Sequence, residues 1–266
     1  ITIDSQLQPV LHYKFDEGAG TTAFDSSGNG HNGTLTNGPK YTSNQNGIYG
    51  KALSFDGSND YVSIPNPSTD LSGNLTISMW IKRGNSGTNN SLITKSYQHE
   101  FDLTLFSNLV FVHGTTPVGG FNSGYIPYTG PATSTFTVDK WYHIVVTRKG
   151  SGTDWTVIFY VNGIKVAEPT ATTTWQGSGN AITPTTSTRD IFIGARNEPT
   201  SSGVTGPTKY FNGKISDVRI YNQALTATQV KQIYNNTLLS TNVTLNKDQL
   251  VYISNALNSN NNGYKN

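Results

Sequence analysis

The chain has 266 residues, room for one large all-β domain or two small ones, and a formal net charge of only +2. Its charges are scattered, which argues against the basic face of a nucleic-acid binder. It contains no cysteine, so disulfides, thiolate zinc sites and cysteine nucleophiles are excluded.

Thr, Asn and Gly (36, 28 and 27 residues) fill a third of the chain. Thr favours strands, while Asn and Gly favour turns, so the composition reads as β-rich. The chain begins at Ile1, so a processed or cut N-terminus is expected, and no basic-then-apolar leader is visible. The longest apolar run is five residues, Val157–Val161, so no membrane insertion is expected. Low charge without cysteine suits an extracellular, cell-surface or virion-surface location.

The first strand signal is the alternation in Leu11-His12-Tyr13-Lys14-Phe15-Asp16. A dense turn cluster follows at Asp25-Ser26-Ser27-Gly28-Asn29-Gly30. Ala52–Phe55 and Tyr61–Ile64 predict two strands around an Asp56-Gly57-Ser58-Asn59 turn. Thr76–Lys82 alternates cleanly, with Ile77, Met79 and Ile81 on one face. Leu92–Thr94, Phe101–Phe106, Leu109–Val112, Trp141–Thr147 and Trp155–Val161 continue the series. Asn162-Gly163 then predicts a two-residue hairpin into Ile164–Val166, because both residues tolerate positive φ. Ile191–Ile193 and Ile215–Tyr221 are the last strands. About a dozen short strands imply a two-sheet antiparallel β-sandwich.

One helix is expected near residues 227–235. Thr226 and Gln229 have capping-box spacing, and Val230, Ile233 and Tyr234 form its apolar stripe. It is expected to plug one end of the sandwich. Gly114–Pro131 and Pro169–Asp190 carry little strand signal and read as long loops. The expected organisation is one domain over residues 1–236, with residues 237–266 an extension or linker, partly disordered and leading into a larger polypeptide.

The ordered blocks resemble the concanavalin A-like, laminin G-type jelly-roll family. They are Leu11–Gly20, Asp25–Gly30, Gly50–Gly57, Asp60–Val62, Ile77–Lys82, Trp141–Thr147, Tyr160–Gly163, Ile193–Ala195 and Gly213–Leu225. The resemblance covers about residues 8–236 and implies two curved antiparallel sheets. It also implies that the N- and C-terminal blocks pair in one sheet. Members are mostly accessory modules that bind glycans or proteins, often with calcium.

Catalysis has little to build on. Glycoside hydrolysis needs two positioned carboxylates, and only Glu100 and Asp102 alternate onto one face. Calcium is the more credible cofactor, with Asp25 in the turn cluster and Asp217 inside an apolar strand as candidate ligands. An Asx-turn for Asp25 and a salt bridge to Arg219 for Asp217 are the competing structural explanations. Asp56 and Asp60 read as hairpin chemistry, with a second ion as the alternative.

For a glycan, aromatic side chains in loops are the candidates: Trp175, Tyr125, Tyr128 and Tyr97, with His99 beside them. Each has loop anchoring as its competing role. Trp80, Trp141 and Trp155 lie in strands and are expected in the core. The expected function is therefore a non-catalytic carbohydrate-recognition or adhesion module with a glycan or surface protein as partner. A structural spacer of a fibre or surface protein is the alternative, and a glycoside hydrolase or lyase on this scaffold comes third.

Overall fold

A computed structural model describes residues 7–42, 50–85, 87, 90–96, 100–114, 125–152, 154–169, 184–198 and 206–242, with the side chains of Tyr125 and residues 238–242 outside that description. In chain order the first nine strands are β1 (Leu11–Tyr13), β2 (Thr22–Ala23), β3 (Gly33–Thr36), β4 (Lys40–Tyr41), β5 (Leu53–Asp56), β6 (Tyr61–Ile64), β7 (Leu75–Arg83), β8 (Asn90–Lys95) and β9 (Phe101–Leu105). The remainder are β10 (Asn108–Gly114), β11 (Tyr125–Ala132), β12 (Trp141–Ser151), β13 (Asp154–Val161), β14 (Ile164–Ala167), β15 (Ile191–Ile193), β16 (Arg196–Glu198), β17 (Gly206–Thr208) and β18 (Asn212–Tyr221). Among the described residues one α-helix, α1, spans Ala227–Asn242.

The strands form two eight-stranded antiparallel sheets, the jelly-roll sandwich that the alternation predicts. The front sheet has the order β11-β10-β9-β8-β15-β6-β3-β2. The back sheet runs β14-β13-β12-β7-β18-β5-β4, and β1 also pairs with β18. That pairing, Leu11 with Ile220 and Tyr13 with Val218, joins the chain's two ends in one sheet. The β16–β17 ribbon is a separate hairpin. More strands are present than a dozen because pieces of two to four residues are too short for periodicity to reveal.

Alternation explains the main core. Ile77, Met79 and Ile81 of β7 face Ile144 and Val146 of β12 and the inward residues of the front sheet. Each such buried side chain contributes about 1.5–3 kcal/mol. The hairpin at Asn162-Gly163 forms as expected, with φ of 50° and 75° and Val161 paired to Ile164.

Three expectations are corrected. Gly114–Pro131 is not simply a loop, because Tyr125–Ala132 is a strand pairing with β10; its Gly and two Pro residues hid it, and an edge strand tolerates Pro. The helix does not plug an end of the sandwich. Val230 and Ile233 pack on Val145, Tyr160 and Tyr221, so α1 covers part of the outward face of the back sheet in a second core. It also continues to Asn242, beyond the helix end expected at residue 235. Its start matches the capping box: Gln229 N–H donates to Thr226 Oγ1 and Thr226 N–H donates to Gln229 Oε1.

Candidate functional site

The expected metal ligands are close, joined by His12. Asp25 Oδ1 accepts from the backbone N–H of His12 at 3.0 Å and of Ser27 at 2.9 Å, and Oδ2 accepts from that of His31 at 3.1 Å. His12 Nε2 lies 2.8 Å from Asp217 Oδ1. A bulge in β18 between Ser216 and Arg219 holds Asp217 at φ 49°. The extra residue switches the alternation, so Val218 and Ile220 enter the main core. Asp217 therefore does not share the inward face of Ile215. It lies under α1, where Thr237 Oγ1 donates to Oδ2 at 3.4 Å.

Arg219 completes this pocket, with guanidinium nitrogens 3.0 and 2.9 Å from the two Asp217 oxygens. Burial pushes the Asp217 carboxyl up, but Arg219 and His12 together outweigh it and hold the carboxyl down at about 2. A calcium ion needs six to eight oxygens. Here one carboxylate faces three N–H dipoles and the other faces a guanidinium and an imidazole. The pair does not fit a shared calcium, and among the described residues no three His, Asp or Glu converge as a metal site. Asp56 and Asp60 close their hairpin: Asp60 Oδ2 accepts from Asp56 N–H and Asp56 Oδ1 from Ser58 N–H.

The glycan candidates separate. Trp175, Tyr97 and His99 lie outside the described residues. Tyr125 begins β11 opposite Gly114. Tyr128 is corrected: it is 1% exposed, in the main core between Phe111 and His113. Burial there raises its hydroxyl to about 12. A ring enclosed on that scale offers no face to a ligand.

Glu100 and Asp102 are both fully buried. Glu100 bonds Lys95 Nζ at 2.7 Å and accepts from the Ser187 hydroxyl at 2.9 Å. Asp102 accepts from Ser91 and Thr94 hydroxyls and lies 3.0 Å from Arg196. Two carboxylates neutralised in separate buried networks are structural in chemistry. Trp80 is buried, but under α1, stacked 5.7 Å from Tyr234. Trp155 packs on the main core, whereas Trp141 is half-buried and belongs to neither core.

The outward face of the front sheet carries a constellation that the sequence reading missed. Val62 and Ile64 point inward from β6, and Ile191 and Ile193 from β15, so Tyr61, Ser63 and Phe192 point outward. Tyr61 and Phe192 rings meet at 4.8 Å with 50° between their planes, and both are half-buried. Thr34, Ser63, Phe192 and Thr94 are successive partners across four strands. Asp190 borders this row, accepting from the Ser63 hydroxyl at 3.2 Å and Asn66 N–H at 3.0 Å. Beyond Thr94 the face is closed, because Arg196 lies on Asp102. What remains open is an angled pair of rings edged by hydroxyls and one carboxylate. The C–H face of a sugar can pack on such rings while its hydroxyls pair with the polar rim. The signal was present in the alternation: an aromatic side chain at a polar-phase strand position.

Comparison with known proteins agrees with this architecture. The profile of the concanavalin A-like lectin/glucanases superfamily, Laminin_G_3, matches residues 56–231. No curated protein sequence matches significantly. Among solved structures, the chain is similar to domain 4 of AbnA, a GH43 extracellular arabinanase from Geobacillus stearothermophilus, solved in complex with arabinotriose. Identity is 22% and the TM-score 0.57, over 85% of this chain and 98% of that one. The binding domain of Paraclostridial Mosquitocidal Protein 1 aligns at 15% identity and TM-score 0.58, over 86% of this chain. The botulinum neurotoxin serotype D ligand-binding domain, solved in complex with N-acetylneuraminic acid, aligns at 15% and 0.52, also over 86%. This chain spans about half the length of those two toxin domains, 52% and 51%. At such identities the likeness is one of fold.

Proposed function

The chain belongs to the concanavalin A-like lectin/glucanase superfamily, and from that premise we propose that it is a non-catalytic carbohydrate-recognition module of a larger extracellular protein. The observation that carries the proposal is the outward Tyr61–Phe192 ring pair with its polar rim of Thr34, Ser63 and Asp190. Two similar solved domains, one with arabinotriose and one with N-acetylneuraminic acid, support a sugar as the ligand class. The non-catalytic part rests on Glu100 and Asp102, whose carboxylates are tied into buried ion pairs. Export is supported by the absence of cysteine and by the extracellular arabinanase relative. No described helix is long and apolar enough to cross a membrane.

The test is affinity electrophoresis against arabinan and a panel of neutral polysaccharides, with Tyr61→Ala and Phe192→Ala beside the parent chain. Retention of the parent by at least one neutral glycan, lost in both variants, is expected. Failure of every glycan to retard the parent, or equal retardation of all three proteins, overturns the proposal.

A further inference from the structure

A second face of the sandwich carries charge that the fold uses only in part: Lys82 meets Asp139 and Lys40 acts on Asp60, while Lys214 has no ion pair among the described residues. Lys40, Ser54, Lys214, Lys82 and Trp141 are successive partners across β4, β5, β18, β7 and β12. Their neighbours Leu53, Phe55, Ile215 and Ile81 are in the main core, so this row points outward from the back sheet. Lys214 sits directly opposite Lys82, with no carboxylate between them. Like charges facing each other across a ladder destabilise a sheet.

Compensation is slight. The pairing partner of Lys82 is Asp139, 3.5 Å away with a side chain 76% exposed. Such an exposed pair is weak and easily displaced. Among the described residues no ion pair to Lys214 is present. The nearby Arg83 turns inward and spends its guanidinium on the carbonyls of Thr133, Phe136 and Gly87.

The two lysines border an open cleft of about 250 Å³, with Ser54, Asp139, Asn212 and Gly213. Gly213, at φ 145°, makes the floor: a Cβ there would collide with the Lys82 carbonyl oxygen. The Asn212 side-chain amide is fixed by donating to the Asp56 carbonyl at 2.7 Å. The cleft is below the ~300–1,000 Å³ of a drug-sized pocket and suits one small charged group. Lys40 stands two strand steps from Lys214, about 10 Å at ordinary strand spacing. A row of cations ending in a half-buried indole fits a polymer that carries anions at intervals and also has an apolar ring face. We propose that this cleft is a second binding site, separate from the Tyr61–Phe192 face, for an acidic polysaccharide, whose carboxylate or sulfate groups pair with Lys82 and Lys214 while a sugar ring packs on Trp141.

The experiment measures retention of the parent chain by polygalacturonate, which carries only carboxylates, and by dextran sulfate, which carries only sulfates, with neutral dextran as the blank. The paired change Lys82→Gln with Lys214→Gln is compared with a distant control, Lys149→Gln with Lys231→Gln. Retention by one or both polyanions is expected to weaken tenfold or more in the cleft variant and to stay unchanged in the control. Which polymer is retained identifies the anion. Thermal melts confirm that both variants fold, and Tyr61→Ala keeps the polyanion binding, so this site and the neutral-glycan site fail separately. The proposal is overturned if neither polyanion retards the parent, if the cleft variant binds like the parent, or if the control loses as much as the cleft variant.

Discussion

His12 Nε2 lies 2.8 Å from Asp217 Oδ1, while the backbone N–H of the same histidine donates to Asp25 at 3.0 Å. One residue of β1 thus ties the turn cluster near the start of the chain to the bulge in β18. Arg219 and Thr237 bring the back sheet and α1 to the same carboxylate. The closing block of the fold is held together at Asp217.

Removing that carboxylate leaves a guanidinium under the helix without its partner. Asp217→Asn is expected to cost about 3 kcal/mol at neutral pH, the scale of breaking a largely buried pair. The folded carboxyl is held at about 2, below its ordinary 3.8. Its stabilisation is therefore complete above about pH 4 and lost as pH falls toward 2. Urea unfolding of parent and variant at pH 7 and pH 2.5 reads this directly. The gap between them should shrink at the lower pH, and a gap of constant size would contradict the assignment.

His143 works with the same sign but in a higher window. It is fully buried, 2.9 Å from the Ser78 hydroxyl and tilted between Trp80 and Tyr234. Burial lowers it to about 3, helped by Arg219 and opposed by Asp217. The unfolded chain takes up a proton near pH 6.5 that the native state refuses until about 3. Stability falls across that window, by roughly 5 kcal/mol if the whole difference is realised. His143→Gln should flatten the fall in melting temperature between pH 6.5 and 4. His113, also lowered mainly by burial, keeps part of the slope. An unchanged slope in His143→Gln would remove His143 as its source.

Strand positions in this protein were legible wherever alternation ran for five residues or more, as in β7 and β12. The Asn162-Gly163 hairpin and the Thr226 cap were legible because their chemistry is local. The bulge at Asp217 was not, since nothing in Ile215–Tyr221 marks where the alternation slips, and the slip decides which face the carboxylate takes. The helix was recognised but misplaced, because an apolar stripe says that a face is covered and not which one. Tyr128 looked like a loop residue beside Pro127, yet β11 is an edge strand that accommodates that proline. Tyr61 and Phe192 are marked only by their phase in the strands, a weaker signal than an aromatic ring such as Trp175 in a polar loop. The lysine row could not be seen at all, because it exists only through the register of five strands.

Chelation tests the calcium expectation. Asp25 accepts three backbone N–H groups, so its carboxylate organises the loop through hydrogen bonds. Asp25→Ala should lower stability by about 1–3 kcal/mol, as expected when partly buried donors lose their acceptor. The melting temperature of the parent should be the same with EDTA as with calcium. A drop on chelation that disappears in Asp25→Ala would restore Asp25 as a metal ligand.

The sharpest contrast is between two tyrosines, one on each side of the front sheet. Tyr128 is enclosed by Phe111 and His113, and truncating it opens a cavity where surrounding side chains cannot fully close. Tyr128→Ala should cost about 3–5 kcal/mol. Tyr61 lies on the outward face, touching Phe192 at 4.8 Å. Losing that contact removes about 0.5–1.5 kcal/mol of ring pairing together with part of the half-buried ring's apolar burial. Tyr61→Ala should therefore melt within a few degrees of the parent while losing retention on any neutral glycan that the parent binds. Tyr61→Phe separates the ring from its hydroxyl: full retention assigns the contact to stacking, and partial loss assigns a share to the rim. If Tyr61→Ala instead melts as low as Tyr128→Ala while glycan retention survives, the ring pair is packing and the recognition face lies elsewhere on the sandwich.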